Sequence, residues 1–202
     1  VGETGDVSNS GELSGTGDVE NKGTIVNDKT GTVKADHLSN VDNGTFKNKN
    51  DVSLTDKDGN VYYYSSLDEA LKDARERDDD VVINTGSRID PTIKATGEDG
   101  IVEIPENVTI VIPENKQLTI ANGAELEVRG KIENNGTILN CGALVLIPES
   151  NLSGSGTLNN VVEASWKDSE TGMAYYGPLK DALEKAGQQG TTEGKTDIKI
   201  DL

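Results

Sequence analysis

Aliphatic residues recur at every sixth position along much of this chain. In its second half the series is Ile120, Leu126, Ile132, Ile138 and Leu144. Small or turn-forming residues follow four places after each of these, at Ala124, Gly130, Gly136, Gly142 and Pro148. A six-residue period fits neither an α-helix nor a long flat strand. It predicts short strands separated by corners, with three hexads closing one coil of a parallel β-helix.

Stacking of such coils predicts the hydrophobic core. Coils of about 18–20 residues would lie about 4.8 Å apart, and equivalent side chains would form columns inside them. The predicted columns are Val108 with Leu126 and Leu144, Ile110 with Val128 and Leu146, and Ile120 with Ile138. Parallel crossovers are nearly always right-handed, so we expect right-handed coils. Hexads such as "IANGAE" also resemble those of left-handed hexapeptide-repeat proteins, and that alternative stays open.

The corners of these coils are predicted at Asn and Gly. Both residues adopt bent or left-handed backbone at the least cost. We therefore interpret Asn21, Asn43 and Asn134 as corner residues, whose amides can stack into ladders between coils. A ligand-binding row of amides is the alternative interpretation.

The chain also repeats itself at a spacing of 112 residues. "DVSLTDKDGNVYYYSSLDEALKDA", residues 51–74, matches "EASWKDSETGMAYYGPLKDALEKA", residues 163–186. The match pairs large apolar positions, namely Leu54 with Trp166, Tyr63 with Tyr175 and Tyr64 with Tyr176. The sequence thus holds slightly less than two copies of one unit. Because Val1 falls inside a repeat and no signal peptide is visible, we expect a fragment of a longer chain.

Each copy contains a segment of different character. "DVSLTDKDGNVYYY" alternates around a polar turn and predicts a β-hairpin. Apolar residues at helical spacing then predict an amphipathic helix with Ser66 and Glu69 as its capping box. The strand "VVINTG", residues 81–86, follows, and "DIKIDL", residues 197–202, matches it in the second copy. We expect the helix to plug the open end of the β-helix.

These patterns predict an all-β fold, a parallel β-helix with short amphipathic capping helices. Four segments follow from the repeat boundaries. We expect β-helix coils over residues 1–54 and 88–163, and a hairpin–helix–strand unit over residues 55–87 and again, truncated, over residues 164–202.

The run "YYYSSLDEALKDARERDDDVVINTG" resembles a unit that recurs in large surface proteins of Gram-positive, often gut, bacteria. There it is similar to the opening of pectin-lyase-like β-helix domains, and the "N-x-G-T-I-x-N" hexads resemble filamentous-adhesin repeats. The resemblance implies a secreted or wall-anchored repeat protein, located outside the cell or in the cell wall. Its function would be structural or adhesive, as a non-catalytic module that spaces or presents a binding surface.

The composition of the chain limits the classes of partner that we expect it to bind. A net charge of −17 disfavours nucleic acid and anionic membrane surfaces, because both would be repelled. No apolar run reaches the length of a bilayer span, so we expect no membrane insertion by this segment. The remaining expected partners are host or cell-wall glycans or proteins, and neighbouring repeats of the same chain. The single cysteine excludes an internal disulfide.

The candidate ligand-binding residues are Tyr62, Tyr63, Tyr64 and Arg129. Exposed aromatic rings can stack on sugars, although packing of these tyrosines onto the helix is the competing interpretation. Arg129 lies between Glu127 and Lys131 and is either part of a site or one of several solvated charges.

Catalytic signals are weak throughout the chain. A polysaccharide lyase or glycoside hydrolase on a right-handed β-helix is the first alternative, and a hexapeptide-repeat acyltransferase, for which His37 is the sole candidate base, is the second. "DKDGN" has the first spacings of a calcium loop but lacks its later ligands, so a hairpin turn is predicted instead. We predict no catalytic residues, no metal and no cofactor.

Overall fold

The computed structural model describes residues 5–42, 44–49, 52–86, 90–95, 100–162, 164–168 and 171–189. Within these ranges the side chains of residues 15–18, 35–37, 39, 150, 188 and 189 are not described. The chain divides into two compact units, Val1–Ile89 and Asp90–Leu202. Both consist largely of short strands stacked in parallel, which is the architecture of a β-solenoid, with about seven turns in all. The predicted all-β solenoid fold is confirmed.

The first unit contains eight described strands and one helix. In chain order they are β1 (Asp6–Asn9), β2 (Glu12–Asn21), β3 (Thr24–Asn27), β4 (Thr32–Asn40), β5 (Thr45–Asn48), β6 (Val52–Thr55), β7 (Val61–Tyr64), α1 (Leu67–Arg75) and β8 (Val81–Asn84). The parallel stacks are β1–β3–β5 and β2–β4. Strand β7 then pairs antiparallel with both β4 and β6, and β8 pairs antiparallel with β6.

The second unit contains twelve described strands, one α-helix and one turn of 3₁₀-helix at Glu149–Asn151. The elements are β9 (Thr92–Ile93), β10 (Ile101–Ile104), β11 (Val108–Ile112), β12 (Gln117–Ile120), β13 (Glu125–Val128), β14 (Lys131–Asn134), β15 (Thr137–Asn140), β16 (Ala143–Leu146), β17 (Leu152–Ser153), β18 (Thr157–Asn160), β19 (Ala164–Lys167), β20 (Ala174–Gly177) and α2 (Leu179–Gln189). Three parallel stacks, β10–β13–β16, β11–β14–β17 and β9–β12–β15–β18, enclose the core.

Coil length in the second unit varies more than the hexad pattern predicts. Leu126 lies over Leu144 at the predicted 18-residue spacing, since each corner between β13 and β16 has two residues. One coil earlier, however, Leu126 pairs with Val102, because three- and four-residue turns separate β10, β11, β12 and β13. The longer turns shift the register, so a fixed spacing cannot assign the columns across them.

The predicted core columns are therefore partly wrong. Val108 and Ile110 do not lie over β13, since β11 pairs with β14 instead. Ile138 stacks with Leu118, and not with Ile120. The observed columns are Val102–Leu126–Leu144, Ile104–Val128–Leu146 and Leu118–Ile138–Leu158. Apart from Leu158, which is half-buried, and Val102, these side chains are essentially inaccessible to solvent.

The hexad glycines lie where successive coils approach each other closely, and of the two backbone conformations predicted for the corners they do not adopt the left-handed one. Gly130, Gly136 and Gly142 have no positive φ. A Cβ placed on Gly136 would instead lie within 3.0 Å of the carbonyl oxygens of Pro113 and Lys116, and real Cβ atoms essentially never come so near. The absence of a side chain lets successive coils form backbone hydrogen bonds at their corners.

Asparagines at strand ends form amide ladders along the coils. The Nδ2 of Asn21 donates to the Oδ1 of Asn40 at 2.9 Å and to the carbonyl of Thr45 at 3.0 Å, and its Oδ1 accepts from the N–H of Gly23. Asn134 makes the corresponding bonds to Thr157 and Gly136. Both amides are buried with their polar atoms satisfied, which argues against a ligand-binding row. Asn43 lies outside the described residues.

The hairpin and helix of each copy lie where the sequence predicts them. In the first unit the Ser66 hydroxyl accepts from the N–H of Glu69 at 3.2 Å, while the Glu69 carboxylate turns back to the N–H and hydroxyl of Ser65. The helix is not a plug, however. In the second unit Val145 faces away from the lumen residues Leu144 and Leu146, and it packs with Ala182 of α2. Each helix covers the outer face of the sheet that its hairpin extends.

The second hairpin is not aligned as the 112-residue spacing predicts. Its turn, closed by the Asp168 N–H bonding to Met173, is one residue longer than the Asp56–Asn60 turn of the first. Trp166 consequently pairs with Tyr175, whereas Leu54 pairs with Tyr62. The structural equivalent of Tyr175 is thus Tyr62 and not Tyr63.

Candidate functional site

The three consecutive tyrosines of β7 divide between two faces of the sheet. Tyr62 and Tyr64 point toward α1 and are 6% and 1% exposed. Tyr63 is half-buried on the opposite face, where its ring centroid lies 5.2 Å from that of Phe46. The two rings under the helix are not open to a sugar ring. Tyr63 is the member of the predicted set that keeps accessible ring surface.

Asp56 organises the hairpin turn below these rings. Its carboxylate accepts hydrogen bonds from the N–H groups of Asp58 and Asn60 at 3.0 and 2.9 Å, and from the Tyr62 hydroxyl at 3.0 Å. Burial raises the pKa of this carboxyl, but the hydrogen bonds outweigh it and hold the pKa below its usual value. The oxygen atoms that a calcium loop would direct at a metal are used to close the turn.

Asp73 on α1 is the second centre of this polar network. Its carboxylate accepts from the Tyr64 hydroxyl at 2.7 Å and from Nε of Arg77 at 2.8 Å, and it lies 3.2 Å from Nζ of Lys34. Partial burial opposes ionisation, but these donors together lower the pKa of Asp73. Burial, followed by the hydrogen bond to Asp73 and then by the charge of that carboxylate, raises the pKa of Tyr64. At neutral pH the cluster therefore contains a carboxylate and a neutral phenol.

Arg77 joins the two carboxylates. It lies 4.3 Å from the centroid of the Tyr62 ring, and its Nη1 is 3.9 Å from Asp56 while its Nε bonds to Asp73. This contact combines a cation–π interaction with two ion pairs. The arrangement fixes the C-terminal end of α1 to the hairpin, and it leaves neither carboxylate available as a general base.

A groove of about 250 Å³ opens beside this network. It runs between α1 and the outward faces of β2 and β4, and its lining is mostly charged. The lining residues are Glu12, Thr32, Lys34, Tyr64, Glu69, Lys72, Asp73 and Glu76. Hydroxyl, ammonium and carboxylate groups of this kind suit a polyhydroxylated ligand. Sequence reasoning missed the groove, because it brings together three segments distant in the chain.

Arg129 belongs to the second unit. Its guanidinium forms an ion pair with Glu127 and lies 3.7 Å from Glu103, and about half of its side chain is exposed. Its carbonyl accepts from Nδ2 of Asn151 at 2.8 Å. These charges lie on the outer face of β10 and β13, so Arg129 reaches solvent already paired with carboxylates.

Two further observations concern metal sites and membrane-spanning helices in the described part of the chain. No group of three or more His, Cys, Asp or Glu side chains among the described residues is arranged to hold a metal ion. None of the described helices combines the length and the apolar character needed to cross a membrane. The side chain of His37, the candidate acyltransferase base, lies outside the described residues.

No protein-family profile, curated protein or solved structure matches this chain. The class of protein is consequently defined by the fold alone, which is that of a β-solenoid with hairpin-and-helix units.

Proposed function

We propose that this chain is a non-catalytic structural repeat module of a secreted or cell-surface protein. The observation that carries the proposal is that the polar side chains beside α1 are bonded to one another. Asp56, Asp73 and Arg77 are the groups nearest to a catalytic constellation, and all three are bound to one another or to tyrosine hydroxyls. Such a network holds a helix on a sheet and leaves no nucleophile or base directed at solvent.

The fold supports the same proposal. Each coil repeats a short strand and a corner, so stability accumulates through contacts between neighbouring coils. A module of this kind spaces or presents other parts of a larger protein, and its net charge of −17 keeps it soluble and separate from anionic surfaces. The resemblance of its repeats to those of Gram-positive surface proteins supports a location outside the cell.

Two measurements test this proposal. Limited proteolysis of intact source cells should release peptides of this chain, because a surface module is accessible from outside. The purified chain should also release no unsaturated sugars from pectin-like polysaccharides, with or without calcium. Confinement to the cytosolic fraction would contradict the location, and calcium-dependent sugar release would favour the polysaccharide-lyase alternative.

A second candidate function, glycan binding, is favoured by the groove beside α1. Lys72 of α1 and Glu76, the residue that caps the end of the helix, both line it, and neither belongs to the Asp73 network. If glycans bind there, replacing both residues by Ala should remove the signals that the unaltered chain gives on a glycan array. Replacing both Lys57 and Asp58 by Ala, in the exposed hairpin turn, provides the charge-matched control.

The predicted residues Tyr63 and Arg129 can be tested on the same array. Binding that is lost in Tyr63→Ala or Arg129→Ala, and kept in the double variant of the groove, would place the ligand at the residues predicted from the sequence. If the unaltered chain gives no signal on the array, the glycan-binding function is contradicted, and the spacer function remains.

A further inference from the structure

The Tyr175 hydroxyl is a buried polar group of the second unit. Tyr175 is 0% exposed, and its ring stacks with that of Trp166 beneath α2 at a centroid distance of 6.0 Å. The hydroxyl has no hydrogen-bond partner among the described residues. Buried hydroxyl groups are normally hydrogen-bonded, because removal from water without a partner is costly. We therefore expect this hydroxyl to bind water or a ligand.

A comparison with the first unit explains the position of this hydroxyl. There Tyr64 lies at the strand position that Gly177 occupies in the second unit, and its hydroxyl donates to Asp73 of the helix. In the second unit Tyr175 extends over Gly177, since a Cβ placed on this glycine would collide with the Tyr175 hydroxyl. The exchange of a tyrosine for a glycine thus leaves room for the hydroxyl beside the start of α2.

A cavity of about 320 Å³ adjoins this place. Pro178, the residue after Gly177, lines the cavity, and so does Ala143, which packs with Tyr175 in the core under α2. The volume lies at the lower end of the range for small-molecule sites. The polar side chains of the lining are those of Asn122, Glu125 and Asp181.

Two carboxylates give this cavity a negative charge. Glu125 is paired with Lys185, whose Nζ lies 2.8 Å from its Oε1, while Asp181 has no ion pair within the described part of the chain. Both carboxylates also act on the hydroxyl. After burial, the charges of Asp181 and then Glu125 are the causes that raise the pKa of Tyr175. The phenol is therefore neutral at physiological pH, and it can accept a hydrogen bond as well as donate one.

We propose that this cavity binds the primary ammonium group of a small molecule. An ammonium group has three N–H donors, and the cavity offers acceptors in the Asp181 carboxylate, the Glu125 carboxylate and the Tyr175 hydroxyl. Its positive charge offsets the carboxylate that Lys185 leaves unpaired, and such charge-assisted hydrogen bonds are the stronger ones. A neutral sugar could bond to the same oxygens but would leave this charge uncompensated. The proposal does not depend on the structural role proposed above.

Isothermal titration calorimetry of the whole chain with glucosamine tests the proposal. Glucose, which has the same ring without the ammonium group, is the matched control ligand. Glucosamine should bind saturably and glucose should not. Asp181→Asn and Tyr175→Phe should each weaken glucosamine binding by about tenfold or more, as expected for a lost hydrogen bond to a charged group. Glu184→Gln, which removes the same charge from an exposed position of α2, should bind like the unaltered chain.

Tyr175→Phe also separates lost binding from lost folding. It keeps the stacked ring and removes a hydroxyl to which no described residue bonds, so the melting temperature of the chain should not fall. Four results would overturn the inference. No binding of glucosamine would leave water as the partner of the hydroxyl, and equal binding of glucose would mean a site for the sugar ring. Displacement of glucosamine by calcium would mean a metal site, and unchanged binding in Tyr175→Phe would place the amine elsewhere.

Discussion

Gly136→Ala tests the close packing of coils at their corners. The new Cβ would lie within 3.0 Å of two carbonyl oxygens, those of Pro113 and Lys116, whereas ordinary contact begins at 3.4 Å. Both oxygens belong to backbone, so relief requires the coils to separate locally. That movement stretches the hydrogen bond from the Thr137 N–H to the Lys116 carbonyl, which is 2.8 Å long.

The size of the effect follows from these two contributions. Overpacking a close contact costs about 1–3 kcal/mol, and a lost backbone hydrogen bond costs about 0.5–1.5 kcal/mol. We expect Gly136→Ala to lower the free energy of unfolding by about 2–4 kcal/mol. With a urea dependence of about 1–3 kcal/mol per molar, the unfolding midpoint followed by circular dichroism should fall by about 0.7–4 M.

Gly187→Ala is the matched control. Gly187 lies in α2, and no atom lies within 4 Å of the Cβ that would be added. Alanine is a better helix former, so this change should stabilise the chain by about 0.5–1 kcal/mol. Equal midpoints for Gly136→Ala and the unaltered chain would refute the inference that the hexad glycines are required by close approach.

Three further predictions follow from the core, the ladders and the polar network. Ile138→Ala should lower the free energy of unfolding by about 2–5 kcal/mol. Thr137→Ala, on the outward face of the same strand, should have little effect in the same urea titration. Asn21→Ala leaves the Thr45 carbonyl and the Gly23 N–H without their hydrogen-bond partner and should lower the free energy of unfolding by about 2–4 kcal/mol. A loss smaller than that caused by an Asn→Ala change at an exposed asparagine would contradict the ladder. Asp73 has a lowered pKa in the folded chain, so the stability that its carboxylate contributes is present at neutral pH and is lost as the pH falls below about 4. Asp73→Asn should therefore reduce the difference in melting temperature between pH 7 and pH 3.

Side-chain periodicity predicted the fold because a solenoid places a hydrophobic residue at the same point of every hexad. The prediction holds from Leu126 to Leu144, where every corner has two residues. It fails one coil earlier, where turns containing Pro105 and Pro113 lengthen the path. Strand length and burial can be inferred from composition, but the length of a corner depends on how the backbone crosses the coil beneath it.

The polar network was harder to anticipate. Side chains alternate between the two faces of a strand, so the tyrosines of β7 must divide between them, but alternation does not say which face the helix covers. The contact of Asp73 with Lys34 joins residues 39 positions apart and depends on the pairing of β7 with β4. The groove beside α1 has the same origin. No local pattern records that pairing, so neither feature could be predicted from the sequence.

A comparison of the two copies bears on the proposed role. In the first, α1 is held by hydrogen bonds and ion pairs, centred on Asp73 and the Tyr64 hydroxyl. In the second, α2 packs on the stacked rings of Trp166 and Tyr175, and Gly177 occupies the place of Tyr64. The docking of the helix is common to both copies, while the chemistry under it differs. The two copies therefore share the docking of a helix and not a common set of polar groups beneath it, which agrees with the structural role proposed above for the repeated unit.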